Sequence, residues 1–112
     1  MTPSARSMAY LRQQGYRVEV VEKWNAFTKT KKDLFGCIDL LAIGNGHTLA
    51  VQVTSRSNLS SRRAKILASE AFPDMIRAGW QVWLHGWAKN RSNRWEIKAE
   101  LLSEGTDGNR PP

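Results

Sequence analysis

The chain has 112 residues, with 17 Lys and Arg against 10 Asp and Glu, a net charge of +7 and an isoelectric point near 10.1. That length suits one domain with a real core and excludes two, and the charge favours a polyanionic partner, nucleic acid before a membrane surface. A single cysteine excludes an internal disulfide, nothing resembles a zinc site, and no apolar run reaches the length of a membrane span. The expectation is a soluble, cytoplasmic protein with no membrane partner and no small-molecule cofactor.

Thr2 followed by Pro3 reads as a helix cap with proline at the first helical position. Ala5, Met8, Ala9 and Leu11 add an apolar stripe, so a helix is expected over residues 3–14, closed by Gly15. Residues 16–22 alternate as a strand with Glu22 at its end, and residues 24–33, rich in lysine, read as a loop. Two apolar strands follow, residues 35–43 and 48–54, around a turn at 44–47. Both faces of this pair are largely apolar, which suits a central hairpin covered on both sides. Capping residues at 57–61 precede a helix over 61–71, whose expected buried stripe is Ala64, Leu67, Ala68 and Ala71. Phe72-Pro73 breaks that helix, and a short helical turn ends at Gly79. Residues 80–87 and 94–102 are the last two strands. In the first of these, Trp83 and Trp87 share a face with His85; they are read as core or interface before base-stacking residues. The order α-β-β-β-α-β-β makes an α/β fold, a mixed five-stranded sheet flanked by helices. It forms a single domain over residues 1–102, with a flexible tail at 103–112.

Charge is uneven along this order. Residues 1–32 carry seven cations and two anions, and residues 56–65 carry four cations and no anion. Between them, Asp33 and Asp39 are the charged residues. An acidic spot between basic flanks suits a metal-dependent enzyme acting on phosphates. With Ile43 opposite Thr48, the hairpin sets Asp39 opposite Gln52, and alternation puts Asp39, Gln52 and Thr54 on one face. A carboxylate opening an apolar strand is costly to bury unless something binds it, and a divalent cation is one answer. Cys37 shares this neighbourhood, but no cue ties His47 or His85 to it, so it is read as core.

Residues 16–71, with Asp39, the hairpin turn and Gln52-Val53-Thr54, resemble the PD-(D/E)XK nuclease fold. More narrowly, Val21-Glu22-Lys23-Trp24-Asn25, Asp33-Leu34-Phe35-Gly36-Cys37-Ile38-Asp39 and Gln52-Val53-Thr54-Ser55-Arg56-Ser57-Asn58 are similar to small phage-associated proteins. Those are related to Holliday-junction resolvases and virus-type replication-repair nucleases. The resemblance implies a restriction-endonuclease-like core and an Mg²⁺-dependent DNA endonuclease acting on branched or structured DNA. Mn²⁺ is the alternative cation for a weakened site. It implies Asp39 as the motif aspartate and metal ligand, Glu22 as the additional acid and the Val53 carbonyl as a further ligand. Gln52 stands where the pattern has its second acid, and Thr54 where it has lysine. Gln52 would act as a neutral ligand and Thr54 would orient water. Lys65 on the following helix is the candidate substitute for the lysine, and Asp33 for the acid if the 24–33 loop folds over the hairpin.

Lys29, Lys31 and Lys32 on one side and Arg56, Arg62 and Arg63 on the other flank the same end of the hairpin and are the expected phosphate contacts. A homodimer, as in junction-cutting relatives, would present two sites to two strands. The alternative reading is a catalytically inactive module of the same fold that binds DNA through these flanks.

Overall fold

A computed structural model describes residues 1–103 of the chain. Helix α1 spans Pro3–Gln13, and the Thr2 hydroxyl accepts from the Ala5 N–H at 3.1 Å to cap it. Strand β1 is Arg17–Val20. The expected loop beyond it is instead a two-stranded antiparallel ribbon, β2 (Lys23–Asn25) with β3 (Thr30–Lys32). Strands β4 (Leu40–Gly44) and β5 (His47–Ser55) form the expected hairpin. A 3-10 turn at Arg56–Asn58 leads to α2 (Leu59–Leu67), followed by α3 (Ala71–Arg77), β6 (Gln81–Lys89) and β7 (Trp95–Leu102). The expected tail, Ser103 apart, lies outside the described residues.

The five-stranded sheet has the order β1-β4-β5-β6-β7 and is mixed: β5 and β6 run parallel, and every other neighbouring pair is antiparallel. Helix–strand alternation accounts for this, because the α2–α3 segment is long enough to carry the chain back across the sheet. Both faces are covered. Leu11 of α1 packs with Val18, Leu40, Ala42, Leu49 and Val51 on one side. Leu59, Ile66, Phe72 and Met75 pack with Ala50, Val82 and Leu84 on the other. Leu59 comes so close to β6 that a Cβ on Gly86 would meet its side chain at 2.7 Å, so a larger residue there would displace Leu59.

Three local differences from the sequence reading have physical causes. Gly44 pairs with His47, so the hairpin loop is Asn45-Gly46 alone, both with positive φ (53° and 80°) as a type I′ turn requires. The buried residues of α2 are Leu59 and Ile66, while Ala64 and Ala68 are exposed; larger apolar side chains gain more from burial and set the helix's rotation. Residues 34–38 close a tight turn, so β4 begins at Leu40 and not at Phe35.

Under α1 sits a buried polar network. Ser7 Oγ accepts from Trp87 Nε1 at 2.8 Å and lies 2.9 Å from His85 Nδ1. The Tyr10 ring stands edge-on to both His85 and Trp87. Trp87 is therefore core, as expected. Burial pushes the His85 pKa down to about 4, so the ring is neutral at physiological pH.

Candidate metal and phosphate site

Two short hairpin closures bring three carboxylates to one place. The last pair of the β2–β3 ribbon is Lys23 with Lys32, so Glu22 and Asp33 emerge side by side from its open end. Leu34 and Ile38 then exchange backbone hydrogen bonds of 2.9 and 3.0 Å around a turn in which Phe35 and Gly36 have positive φ. That turn sets Asp33 across from Asp39. One oxygen of each of Glu22, Asp33 and Asp39 lies within 4.8 Å of the other two.

Asp39 is held firmly on the sheet. Its N–H donates to the Val51 carbonyl and its own carbonyl accepts from the Val21 N–H, both at 2.9 Å. Its side chain reaches along β5, where Oδ2 accepts the Val53 N–H at 2.8 Å and Gln52 Nε2 at 3.3 Å. Asp39 is 6 % exposed. Burial raises its pKa to about 6, against the lowering effect of the Val53 N–H and the Gln52 amide; the carboxylates of Asp33 and Glu22 push it further up. Gln52 is 1 % exposed, and its Oε1 has no hydrogen-bond partner. With Nε2 committed to a carboxylate, the amide cannot turn over to relieve that oxygen.

The carboxylates open into a cleft of about 540 Å³ lined also by Thr2, Ser4, Lys31, Val53, Thr54, Ser55 and Arg62. Alternate residues of β5 point their backbone groups to the same edge. The Val53 carbonyl therefore faces the β4 side, as its N–H does, just beyond the end of that strand. Thr54 is buried beside Gln52 on the same sheet face. Lys31 Nζ lies 3.7 Å from Glu22 Oε2 at the cleft's rim, and Arg62 approaches from α2. Lys29 and Lys32 are exposed on the ribbon and Arg56 on the 3-10 turn. Arg63 turns away to Glu100 on β7, with hydrogen bonds of 2.9 and 2.7 Å. Lys65 is exposed on α2 and is not among the residues lining the cleft. Cys37 is buried in the core, and its thiol pKa is raised by desolvation, so no thiolate competes for a cation.

The three converging carboxylates offer oxygen ligands, and Gln52 and Val53 line the same cleft. Such a cluster could hold a hard divalent cation. A cation would also offset the burial cost, and the smaller repulsion from Asp33 and Glu22, that raise the Asp39 pKa. A broader depression of about 700 Å³ lies at the far end of β1 and β4, lined by Arg12, Tyr16, Arg17, Glu19 and Ile43. Its single carboxylate offers no comparable chemistry.

The described residues form an α/β fold with a mixed five-stranded sheet and three α-helices, and the carboxylate cluster lies where β4 begins, at the end of the sheet's strands. Neither the family models, the curated proteins nor the solved structures contain a match to the chain. Among the described residues, no helix is long and apolar enough to cross a membrane.

Proposed function

We propose that the protein is a metal-dependent DNA endonuclease with a restriction-endonuclease-like core, acting on branched or structured DNA. The observation that carries this reading is the convergence of Glu22, Asp33 and Asp39 within 4.8 Å, in a cleft whose rim is cationic. The helix, the antiparallel hairpin headed by Asp39, and the return through helices to a parallel strand support the same core. When bound, a divalent cation would withdraw charge from a phosphodiester and lower the pKa of a water for attack. Asp39 and Asp33 would hold it directly, with the Val53 carbonyl and Gln52 Oε1 as neutral oxygens. Glu22 would complete the set directly or through water. Lys31 and Arg62 would hold the phosphate beside the carboxylates, and the Thr54 hydroxyl would orient water. Asp33 restores, from the ribbon, the charge that Gln52 does not bring.

A cleavage assay on labelled single-stranded, duplex, flap and four-way-junction DNA tests this, with Mg²⁺, Mn²⁺ and EDTA compared. Cation-dependent cutting that Asp39→Asn abolishes is the expected result; cutting that survives the substitution would remove Asp39 from the mechanism. One observation favours the second reading, a DNA-binding module without catalysis. Gln52 and Val53 both donate to Asp39 Oδ2, leaving one oxygen of that carboxylate for a cation. Salt-sensitive DNA binding with no cutting under any metal would establish that reading.

A further inference from the structure

The β2–β3 ribbon has a composition unlike the rest of the surface. Over residues 23–32 it carries four lysines and no acid. Two large aromatics stand out from it into solvent: Trp24 is 63 % exposed and Phe27 is 99 % exposed. Neither belongs to a core cluster. The loop that presents Phe27 is pre-formed. Asn25 Oδ1 accepts the N–H groups of Phe27 and Thr28, at 2.9 and 3.3 Å, and the hydroxyls of Thr28 and Thr30 bond at 2.7 Å. Exposing an aromatic ring on an ordered loop is unfavourable in water and useful when a flat apolar partner arrives.

The ribbon is also aimed. Trp24 is paired directly with Lys31, so the two side chains share a face, and Lys31 lines the carboxylate cleft. One face of the ribbon thus carries an indole beside the ammonium that reaches the cleft, and Lys23 and Lys32 lie on the other. We infer that this ribbon is a grip for single-stranded nucleic acid. Unpaired bases stack on Trp24 and Phe27, and the sugar-phosphate backbone runs past Lys29 and Lys31 into the cleft. Stacking needs a free base face, which a duplex hides, so the aromatics select unpaired nucleotides. An anionic bilayer would match the charge and the aromatics. It is a flat surface, however, and could not follow Lys31 down to the carboxylates. The grip names the substrate class of the proposed cleft and rests on that reading only in placing a phosphate there.

The test is fluorescence anisotropy in EDTA, so that no cation or cleavage enters, with labelled oligo(dT) and a blunt duplex of equal length. Trp24→Ser and Phe27→Ser are compared with the parent, far-UV circular dichroism serving as the check on folding. Phe27 is fully exposed, so its replacement removes no packing. Each substitution is expected to weaken single-strand binding by about 5- to 150-fold, leaving duplex binding unchanged. Lys29→Ala with Lys31→Ala should make the salt slope of single-strand binding shallower by about 1.4. Equal affinities of both aromatic variants and the parent for oligo(dT) would overturn the grip. So would Phe27-dependent binding to phosphatidylserine vesicles in the absence of single-strand binding. Single-strand binding that depends on the aromatics, in a protein that cuts nothing with Mg²⁺ or Mn²⁺, would uphold the grip and retire the nuclease reading. Cutting by a protein whose aromatic variants bind normally would do the reverse.

Discussion

Gln52 Nε2 and the Val53 N–H share one oxygen of Asp39, at 3.3 and 2.8 Å, yet the Asp39 pKa stands at about 6. Two donors do not offset the cost of burying this carboxylate between Asp33 and Glu22. The fold therefore keeps an ionised group here at its own expense, as functional sites commonly do. Asn in place of Asp39 retains the acceptor both donors use and removes the charge. Without divalent metal at pH 7, Asp39→Asn is expected to raise stability by up to about 3 kcal/mol, since each pKa unit corresponds to about 1.4 kcal/mol. Each kcal/mol corresponds to about 4–8 °C in Tm for a domain of this size. Thermal melts with and without Mg²⁺ read both sides of the exchange: the cation should stabilise the parent and leave the variant unmoved. A variant that melts lower than the parent in EDTA would contradict it.

Acid sensitivity should be masked by two opposed groups. The His85 pKa is lowered from 6.5 to about 4, so its contribution to stability is complete above pH 6.5 and is lost as pH falls toward 4. The Asp39 pKa is raised from 3.8 to about 6, so its neutral form favours the fold at low pH, and that contribution is lost as pH rises through 6. The windows overlap and the signs oppose, so urea midpoints of the parent should vary little between pH 4 and 6.5. In Asp39→Asn only His85 remains, and stability should climb by roughly 3 kcal/mol across that range. A flat profile in that variant would count against the His85 assignment.

Gln52→Glu would restore the second acid of the nuclease pattern, next to a carboxylate already crowded by two others. Like charges at this separation cannot all ionise freely in a partly dry site. The variant is expected to melt below the parent in EDTA and to bind Mn²⁺ more tightly by calorimetry. Weaker binding would mean that Gln52 Oε1 is a better ligand here than a charged oxygen.

Arg62 and Arg63 are neighbours with different surroundings. Arg63 joins α2 to β7 through its two bonds to Glu100, so Arg63→Ala is expected to cost about 1–3 kcal/mol of stability. Arg62 lines the cleft. Arg62→Ala should leave the melting temperature alone and lower DNA affinity uniformly across sequences. A paired melt and anisotropy titration of the two variants separates these roles.

Much of the sheet was legible from local chemistry. The Thr2-Pro3 cap, the alternation of β1, the register of β4 with β5 and the opposite faces of β6 follow from side-chain period and turn residues, which act over a few positions. The placement of Asp39 beside Gln52 follows from that register alone. The ribbon was not legible, because its two strands are three residues each and dominated by lysine, without the apolar alternation that marks a half-buried strand. Without it, the approach of Asp33 to the site stays conditional on how residues 24–33 fold. The Ser7–His85–Trp87 network was hidden for another reason. Ser7 lies 78 and 80 residues from its two partners, and no short-range pattern ties a serine on one helix to a strand that far along the chain.

Glu22 and Asp33 are the two footings of the ribbon, one on each strand, a single step below its last pair. Registration of the ribbon and spacing of the carboxylates are thus one variable. Lengthening the tip at residues 26–29 leaves the footings where they are and changes only reach. A slip of one residue between the strands would set Glu22 opposite Lys32 and take apart the acid pair without touching the main sheet. Added length at the ribbon's tip would therefore leave the acid pair intact, whereas an insertion at its base would separate Glu22 from Asp33.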